Sequence, residues 1–331
     1  AALSTEELFT DASPVCLENT VEALRDLSGR TPSIAESPVV GCPGDRPGGI
    51  HLGWTGSSLN GNGRRRFFKN PAEEEAFLKN TALPVFTPSR RQSGTRLPVY
   101  IGLDAGSTTS KFAVLDENGA LVDRFYAGNS GEPLEVMREG LSTLFQRYRS
   151  EGVGLEVLAT GATGYGEKLF ASAFKTDVNT VETVAHAEAA RHFCPEASFI
   201  LDIGGQDMKA IYLNRGVITG ITLNEACSAG CGSFLENYAA SLGVALTDLA
   251  DLAFASDHPS ELGSRCTVFM NSSIITEQKR GRTVPDILAG LCRSIVENVF
   301  TKVLRISNLQ DLGRHIVVQG GTFKNDAVLR A

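Results

Sequence analysis

This chain of 331 residues lacks the features that mark membrane, secreted and nucleic-acid-binding proteins. No uninterrupted apolar stretch reaches the ~18 residues that a membrane-spanning helix needs. Residues 1–7 carry neither the basic nor the apolar segment of a secretory signal peptide. The longest basic block is Arg64-Arg65-Arg66, and 38 acidic against 31 basic residues give a net charge of −7. We therefore expect a cytoplasmic protein without a membrane or nucleic-acid partner.

The common nucleotide-binding loops and metal spacings are also missing. No G-x-x-x-x-G-K-S/T sequence is present, which excludes a P-loop, and no G-x-G-x-x-G sequence supports a dinucleotide site. The seven cysteines contain no C-x-x-C pair that would indicate a metal centre. Any nucleotide must therefore be held by other elements of the chain.

One motif occurs twice. Asp104-Ala-Gly-Ser-Thr-Thr-Ser-Lys111 and Asp202-Ile-Gly-Gly-Gln-Asp-Met-Lys209 each follow an apolar run and lead into another run that ends at a turn. Both predict a β-hairpin with an aspartate at the tip of its first strand and a glycine two residues later. The glycine lets backbone N–H groups approach an anion, and the aspartate can hold a cation or a water beside that anion. Two copies with the same Asp-to-Lys spacing predict two half-domains that bind one polyphosphate between them.

Hydrophobic periodicity predicts two short helices in the first 97 residues, at 18–27 and 71–79, and a mixed α/β pattern from Tyr100 onward. Strands are expected near 99–104, 110–116, 120–127, 155–160, 198–219 (as a hairpin) and 314–319, and helices near 71–79, 133–149, 181–193, 231–242, 246–255, 271–281 and 285–308. We expect an α/β fold of two duplicated lobes with a nucleotide cleft between them. The predicted domains are an accessory or linker region of unknown role (1–97), a first lobe (98–195) and a second lobe that carries the cysteine motifs (196–331).

Candidate roles in nucleotide chemistry follow from the two hairpins. Asp104 and Asp202 are candidate catalytic residues and Mg²⁺ ligands, since Mg²⁺ uses one or two carboxylates and otherwise keeps waters and phosphate oxygens. Gln206 can orient a water but cannot take its proton, which favours hydrolysis over transfer to a sugar hydroxyl. Asp207 is an alternative base, so a kinase stays an alternative. The candidate nucleotide contacts are Gly106, Ser107, Thr108, Thr109, Lys111, Gly204, Gly205, Gly320, Gly321 and Thr322.

Two of these assignments have an equally simple explanation without a ligand. Gly320-Gly321-Thr322 follows an apolar strand and can line a flat ring, but a strand-to-helix turn needs glycine as well. Lys111, in a strand position after its turn, fits a solvated lysine as well as a phosphate contact. The sequence leaves these alternatives open.

Small residues surround two cysteines in the segment from Asn224 to Phe234, directly before a predicted helix. Cys227 therefore lies near a helix N-terminus, which favours a thiolate or the charge of a cluster. Cys266 lies in a second turn. On chemistry alone, buried and inert cysteines are equally plausible, and Cys231 has no assigned role. Two or three thiols per chain do not reach the four that an iron–sulfur cluster needs, but a symmetric dimer would supply them.

These motifs, together with Ala162 to Gly166 and Arg265 to Phe269, resemble the ATP-dependent activators of 2-hydroxyacyl-CoA dehydratases, a family that includes the ATPase subunits of benzoyl-CoA reductase. The resemblance covers about residues 98–331. It implies two ribonuclease-H-like lobes, in the fold shared by acetate and sugar kinases, heat-shock ATPases and actin. It also implies that Cys227 and Cys266, two from each of two subunits, ligate one [4Fe-4S] cluster that bridges a homodimer.

The implied activity is ATP hydrolysis that drives one-electron transfer from the cluster to an acyl-CoA dehydratase or reductase, with a flavodoxin or ferredoxin as electron donor. Cys231 and residues 1–97 resemble the long multidomain relatives rather than the small activators. The small activators continue beyond the position of Ala331, so we expect a second lobe truncated at its C-terminus. The alternatives are a small-molecule kinase of this fold and a nucleotide-binding regulatory module without a cluster.

Overall fold

The computed structural model describes residues 66–82, 86–88, 92–224, 230–306 and 308–331. Most of the predicted accessory region lies outside the described residues. The described chain divides into two compact units: the first contains residues 86–192 and the second contains residues 66–82 and 193–331, each with the gaps given above. Within the described part of the chain, no helix is long and apolar enough to cross a membrane.

In each unit, three consecutive strands are followed by one or more helices and then by a further strand. The strands are β1 (Arg96–Ala105), β2 (Thr109–Asp116), β3 (Leu121–Gly128), β4 (Gly154–Thr163), β5 (Val178–Asn179), β6 (Phe199–Ile203), β7 (Met208–Asn214), β8 (Val217–Asn224) and β9 (Ile316–Gln319). The α-helices are α1 (Pro71–Thr81), α2 (Pro133–Ser150), α3 (Glu167–Phe174), α4 (Glu182–Phe193), α5 (Gly232–Ser241), α6 (Leu249–Phe254), α7 (Thr267–Lys279), α8 (Val284–Asn298) and α9 (Asp326–Arg330).

In the first unit, five strands form one mixed sheet in the order β3-β2-β1-β4-β5. β1 pairs antiparallel with β2 and parallel with β4. Alternate residues of β1 (Val99, Ile101 and Leu103) are buried, as expected for a strand with one face in the core. Met137 and Leu141 of α2, four residues apart, pack into the same core.

The second unit repeats this arrangement with four strands in the order β8-β7-β6-β9. β6 pairs antiparallel with β7 and parallel with β9. The hairpin registers are equivalent: Asp104 lies opposite Lys111 in the first hairpin, and Asp202 lies opposite Lys209 in the second. The predicted α/β fold with duplicated lobes is confirmed, including both hairpins.

One predicted helix ends earlier than expected, and one helix was missed. The helix expected at 285–308 is α-helical only to Asn298 and closes with a π turn at Val299–Val303. Arg305 follows with a φ of 53°, which a right-handed helix cannot contain. The eight-residue helix α3 was not predicted, because two turns are too short for a convincing helical period.

The helix predicted at 71–79 is present as α1, and it packs within the second unit. Phe67, Phe68 and Phe77 are buried, and their rings contact Phe254 of α6 with centroid separations of 5.3, 4.9 and 6.4 Å. The guanidinium of Arg330, on α9, lies over the rings of Phe68 and Phe77. Aromatic packing therefore attaches this segment to α6 and α9.

Candidate functional site

The first hairpin places Asp104 at the end of β1. Its Oδ2 accepts a hydrogen bond from Lys111 Nζ at 2.6 Å across the β1–β2 pair. Its Oδ1 is buried and has no hydrogen-bond partner among the described residues. A buried carboxylate oxygen without a donor is costly unless a cation or a water binds it. This orphaned oxygen fits the expected Mg²⁺ ligand, directly or through a bound water.

Asn129 holds the loop of the first hairpin in place, although no local sequence pattern marks it. Its side-chain N–H donates to the Gly106 carbonyl at 2.8 Å, and its backbone N–H donates to the Thr108 carbonyl at 2.9 Å. The Ser110 hydroxyl donates to the Asn129 amide oxygen at 2.6 Å. The predicted contacts Ser107 and Thr108 stay exposed at the tip, and Thr109 begins β2. The loop is therefore preformed with its polar groups presented to solvent.

In the second hairpin, the lysine forms an ion pair with an aspartate of its own turn. Lys209 is buried and forms an ion pair with Asp207. Asp202 is buried at the end of β6, and Gln206 is exposed at the turn. The Lys209 ammonium thus contacts one oxygen of the Asp207 carboxylate, the alternative base.

Two glycines abut the aspartates at equivalent positions. Gly164 follows β4 with a φ of 92°, and Gly320 follows β9 with a φ of 98°. A Cβ at Gly164 would lie 2.5 Å from Asp104 Oδ1, and a Cβ at Gly320 would lie 2.4 Å from Asp202 Oδ1. Only glycine combines a left-handed backbone with this close approach. Gly320 is thus required beside the carboxylate, and the neighbouring Gly321 is exposed.

The second hairpin is hydrogen-bonded to the N-terminus of α5. The N–H of Gly232 donates to the Gly204 carbonyl at 2.9 Å, and the N–H of Ser233 donates to the Gly205 carbonyl at 2.7 Å. The Thr322 hydroxyl donates to the same Gly204 carbonyl at 3.0 Å. These bonds satisfy two N–H groups that a helix leaves unpaired at its start. Thr322, predicted as a nucleotide contact, uses its hydroxyl to hold the hairpin against α5.

Cys227 lies outside the described residues, whereas Cys231 is the N-cap residue of α5. Cys231 is fully buried, with its Sγ 3.2 Å from the Ser233 Oγ. Burial raises the pKa of the Cys231 thiol, although hydrogen bonds to Ser233 and Phe234 act in the opposite direction. A buried thiol with a raised pKa is a poor thiolate ligand. The structure therefore favours a packing role for Cys231.

Cys266 is the one exposed cysteine among the described residues, and it caps α7. The helix predicted at 271–281 begins earlier, at Thr267, because the Cys266 carbonyl accepts the N–H groups of Phe269 and Met270, both at 3.1 Å. Val268 and Phe269 beside it are 77% and 64% exposed. The thiol is therefore accessible and set in an apolar surface.

The described part of the chain contains no group of three or more ligating side chains that includes a cysteine. One chain therefore does not form a cluster site from its described residues.

Two helices anchor the backbone on either side of Cys266. The Tyr238 hydroxyl, on α5, donates to the Thr267 carbonyl at 2.7 Å. The Asn298 side chain, on α8, donates to the Arg265 carbonyl at 3.1 Å. Burial raises the pKa of Tyr238, and the nearby Cys266 raises it further, so this hydroxyl stays protonated and able to donate.

Comparison with known proteins gives a consistent assignment. Residues 101–331 match the model of the BadF/BadG/BcrA/BcrD ATPase family. The (R)-2-hydroxyglutaryl-CoA dehydratase activating ATPase of Acidaminococcus fermentans is 32% identical over 232 residues, which are 69% of this chain and 84% of that protein. One of the subunits of benzoyl-CoA reductase from Thauera aromatica is 27% identical over 239 residues, which are 71% of this chain and 82% of that protein.

A solved structure shows the same fold. The activator of the 2-hydroxyisocaproyl-CoA dehydratase from Clostridium difficile, determined with bound ADPNP, matches with a TM-score of 0.60 and 28% identity, over 70% of this chain and 83% of that one. The resemblance inferred from the motifs is therefore confirmed. The chain belongs to the BadF/BadG/BcrA/BcrD ATPase family.

Proposed function

We propose that this protein is an ATP-dependent reductive activator, which hydrolyses ATP to drive one-electron transfer to an acyl-CoA dehydratase or reductase. The main support for this proposal is the hydrogen-bonded contact between the second hairpin and α5. In this contact the N–H groups of Gly232 and Ser233 donate to the carbonyls of Gly204 and Gly205. It connects a phosphate-binding turn to a helix that also contacts the backbone beside the exposed Cys266. The activating ATPase of Acidaminococcus fermentans and the benzoyl-CoA reductase relative from Thauera aromatica support this choice of partner.

The nucleotide would be held by backbone groups rather than by a P-loop. The N–H groups of the two hairpin turns, around Gly106 and Gly204, would bind phosphate oxygens. Asp104 and Asp202 would hold Mg²⁺ directly or through its waters. Gln206, exposed at its turn, would orient the attacking water. The bound ADPNP in the Clostridium difficile activator supports a nucleotide site in this fold.

Cys227 and Cys266 from each of two copies would hold one [4Fe-4S] cluster in a homodimer. The exposed thiol of Cys266 at a helix N-terminus fits this role, whereas the buried Cys231 does not. The cluster would supply one low-potential electron to the partner enzyme and would be re-reduced by a flavodoxin or ferredoxin.

For ATP binding to change the environment of the cysteines, the nucleotide must stabilise one arrangement of the second hairpin over another. Because the hairpin carbonyls are hydrogen-bonded to the first turn of α5, a displacement of the turn displaces the helix. Hydrolysis removes the γ-phosphate contact and allows the first arrangement to return.

Anaerobic reconstitution with iron and sulfide tests this function. We expect about four irons per dimer in the wild type, and loss of the cluster spectrum in Cys227→Ala and in Cys266→Ala. Cys231→Ala and Cys292→Ala are the matched controls, because both thiols are fully buried and burial raises the pKa of Cys292 to about 12. Both controls should keep their irons.

A folded protein that binds ATP but no iron would contradict the activator function. Phosphate transfer to a sugar would then indicate the kinase alternative. Nucleotide binding with neither a cluster nor phosphate transfer would indicate a regulatory module.

A further inference from the structure

Tyr238 links α5, which is hydrogen-bonded to the second hairpin, to the backbone next to Cys266. Tyr238 lies on α5, six residues after Gly232, whose N–H is bonded to the second hairpin. Its ring is 4% exposed and packs edge-on against Phe234, with centroids 5.0 Å apart. Its hydroxyl reaches out of α5 to the Thr267 carbonyl at 2.7 Å. Thr267 is the residue directly after Cys266.

The other anchors of this segment come from a different helix. On α8, the buried Ser294 donates to the Gly263 carbonyl at 2.7 Å, and Asn298 donates to the Arg265 carbonyl at 3.1 Å. The backbone near Cys266 is therefore held by two helices, by α8 at the Arg265–Cys266 peptide and by α5 at the Thr267–Val268 peptide. Of these bonds, the one from Tyr238 comes from the helix that is joined to the hairpin.

We propose that Tyr238 is a positioning residue that transmits the nucleotide state of the second hairpin to Cys266. The route is the Gly204 and Gly205 carbonyls, the first turn of α5, the Tyr238 ring and the Thr267 carbonyl. A displacement of α5 relative to α8 pulls on one side of Cys266 while the other side is held, which changes the orientation of its thiol. This inference rests on the proposed nucleotide binding and deepens the proposed function.

The rate at which iodoacetamide alkylates Cys266 in the full chain, freed of iron under anaerobic conditions, reports the environment of this thiol. Mass spectrometry of the Cys266 peptide separates it from the buried cysteines. In the wild type, we expect the rate with ADPNP and Mg²⁺ to differ from the rate without nucleotide by about two- to tenfold, the most that one neutral hydrogen bond can couple. In Tyr238→Phe, the two rates should become equal, while nucleotide affinity stays unchanged.

Tyr212→Phe is the matched control. Tyr212 also packs on the core of the second unit, with its ring 5.1 Å from that of Phe199, so this change removes a tyrosine hydroxyl elsewhere in the same unit. It should keep the full nucleotide dependence at Cys266. A second measurement uses the reconstituted protein: we expect nucleotide to shift the midpoint potential of the cluster, and Tyr238→Phe should reduce this shift whereas Tyr212→Phe should not.

Equal alkylation rates in a wild type that binds nucleotide would overturn the role of Tyr238 and leave the proposed ATPase intact. The same nucleotide dependence in Tyr238→Phe as in the wild type would overturn it as well. A wild type that fails to bind nucleotide by calorimetry would instead overturn the proposed function, and the role of Tyr238 with it.

Discussion

The N–H of Gly232 donates to the carbonyl oxygen of Gly204 at 2.9 Å, so the first turn of α5 is bonded to the turn of the second hairpin. The backbone of Gly232 lies so close to the second hairpin that a side chain at Gly232 would have little room. A Cβ at Gly232 would lie 2.6 Å from the Thr322 Oγ1 and 3.2 Å from the Gly204 carbonyl oxygen. A side chain at this position must therefore displace the Thr322 hydroxyl, and it presses on the Gly204 carbonyl.

Gly232→Ala tests the importance of this joint for hydrolysis. Overpacking costs ~1–3 kcal/mol, so we expect kcat/KM for ATP to fall by about tenfold or more if the turn must keep its position. Steady-state phosphate release measures this. The control is Gly128→Ala, since a Cβ at Gly128 would meet no atom within 4 Å. Equal activity of the two variants would show that the joint does not shape the nucleotide site.

A comparison of Gly320→Ala with Gly119→Ala separates the effect of backbone strain from the effect of a methyl group in contact with the Asp202 carboxylate. Gly119 has a similar positive φ of 81°, but a Cβ there would meet nothing within 4 Å. Both alanine variants should lose about 1 kcal/mol of unfolding free energy through strain at positive φ, and Gly320→Ala should lose more because its Cβ would also lie 2.4 Å from the Ile203 carbonyl oxygen. Only Gly320→Ala places a methyl group against Asp202, so only it should weaken Mg²⁺-dependent binding of ADPNP, measured by calorimetry. Equal binding by both variants would remove Gly320 from the site.

The local parts of the site are predictable from the sequence. The D-x-G turn and the apolar runs around it specify a hairpin within a dozen residues, and the registers of Asp104 with Lys111 and Asp202 with Lys209 follow. The residue at which a helix begins is harder to predict from the sequence. Thr267, Val268 and Phe269 are poor helix formers, which is why the sequence predicts a later start for α7 than the structure shows.

The supports of the site come from residues distant in sequence, and no local pattern identifies them. Asn129 reaches the first hairpin across 23 positions to Gly106, and Thr322 reaches Gly204 across 118 positions. An asparagine in a Gly-Asn-Ser-Gly segment indicates only a turn. Which carbonyl its side chain binds depends on how the sheet brings the segments together.

Arg330→Lys tests whether the segment before the family-matched region stabilises the second unit. Arg330 lies over the rings of Phe68 and Phe77, donates to the Phe67 carbonyl at 3.2 Å and pairs with Glu73 at 2.6 Å. A lysine keeps the charge but loses the planar contacts, so we expect a loss of about 1–2 kcal/mol in unfolding free energy. Urea unfolding followed by circular dichroism measures it.

Arg138→Lys is the control for this change, because Arg138 pairs with Glu135 on the surface of α2. Its effect should stay below about 0.5 kcal/mol. A similarly small effect of Arg330→Lys would mean that residues 66–82 contribute little to the stability of the second unit.

Asp286 makes the stability of the second unit depend on pH. Burial alone would raise the pKa of Asp286, but hydrogen bonds from Ser256, Thr283 and His258 outweigh it and lower the pKa below the ordinary 3.8. Asp286 accepts the Ser256 hydroxyl at 2.7 Å and completes the capping box of α8 with Thr283. A lowered folded pKa gives stability that is fully present above the unfolded pKa and is lost as the pH falls through the folded one.

Asp286→Asn should therefore cost about 1–3 kcal/mol of unfolding free energy at pH 7, because a neutral amide replaces a charged acceptor. The difference from the wild type should shrink as the pH falls below about 4, where the wild-type carboxylate itself becomes protonated. Asp257→Asn is the control: its ion pair with Arg66 at 2.7 Å is well exposed, so its loss should cost under about 1 kcal/mol. A deficit in Asp286→Asn that stayed constant down to pH 3 would show that the Asp286 charge does not stabilise the cap.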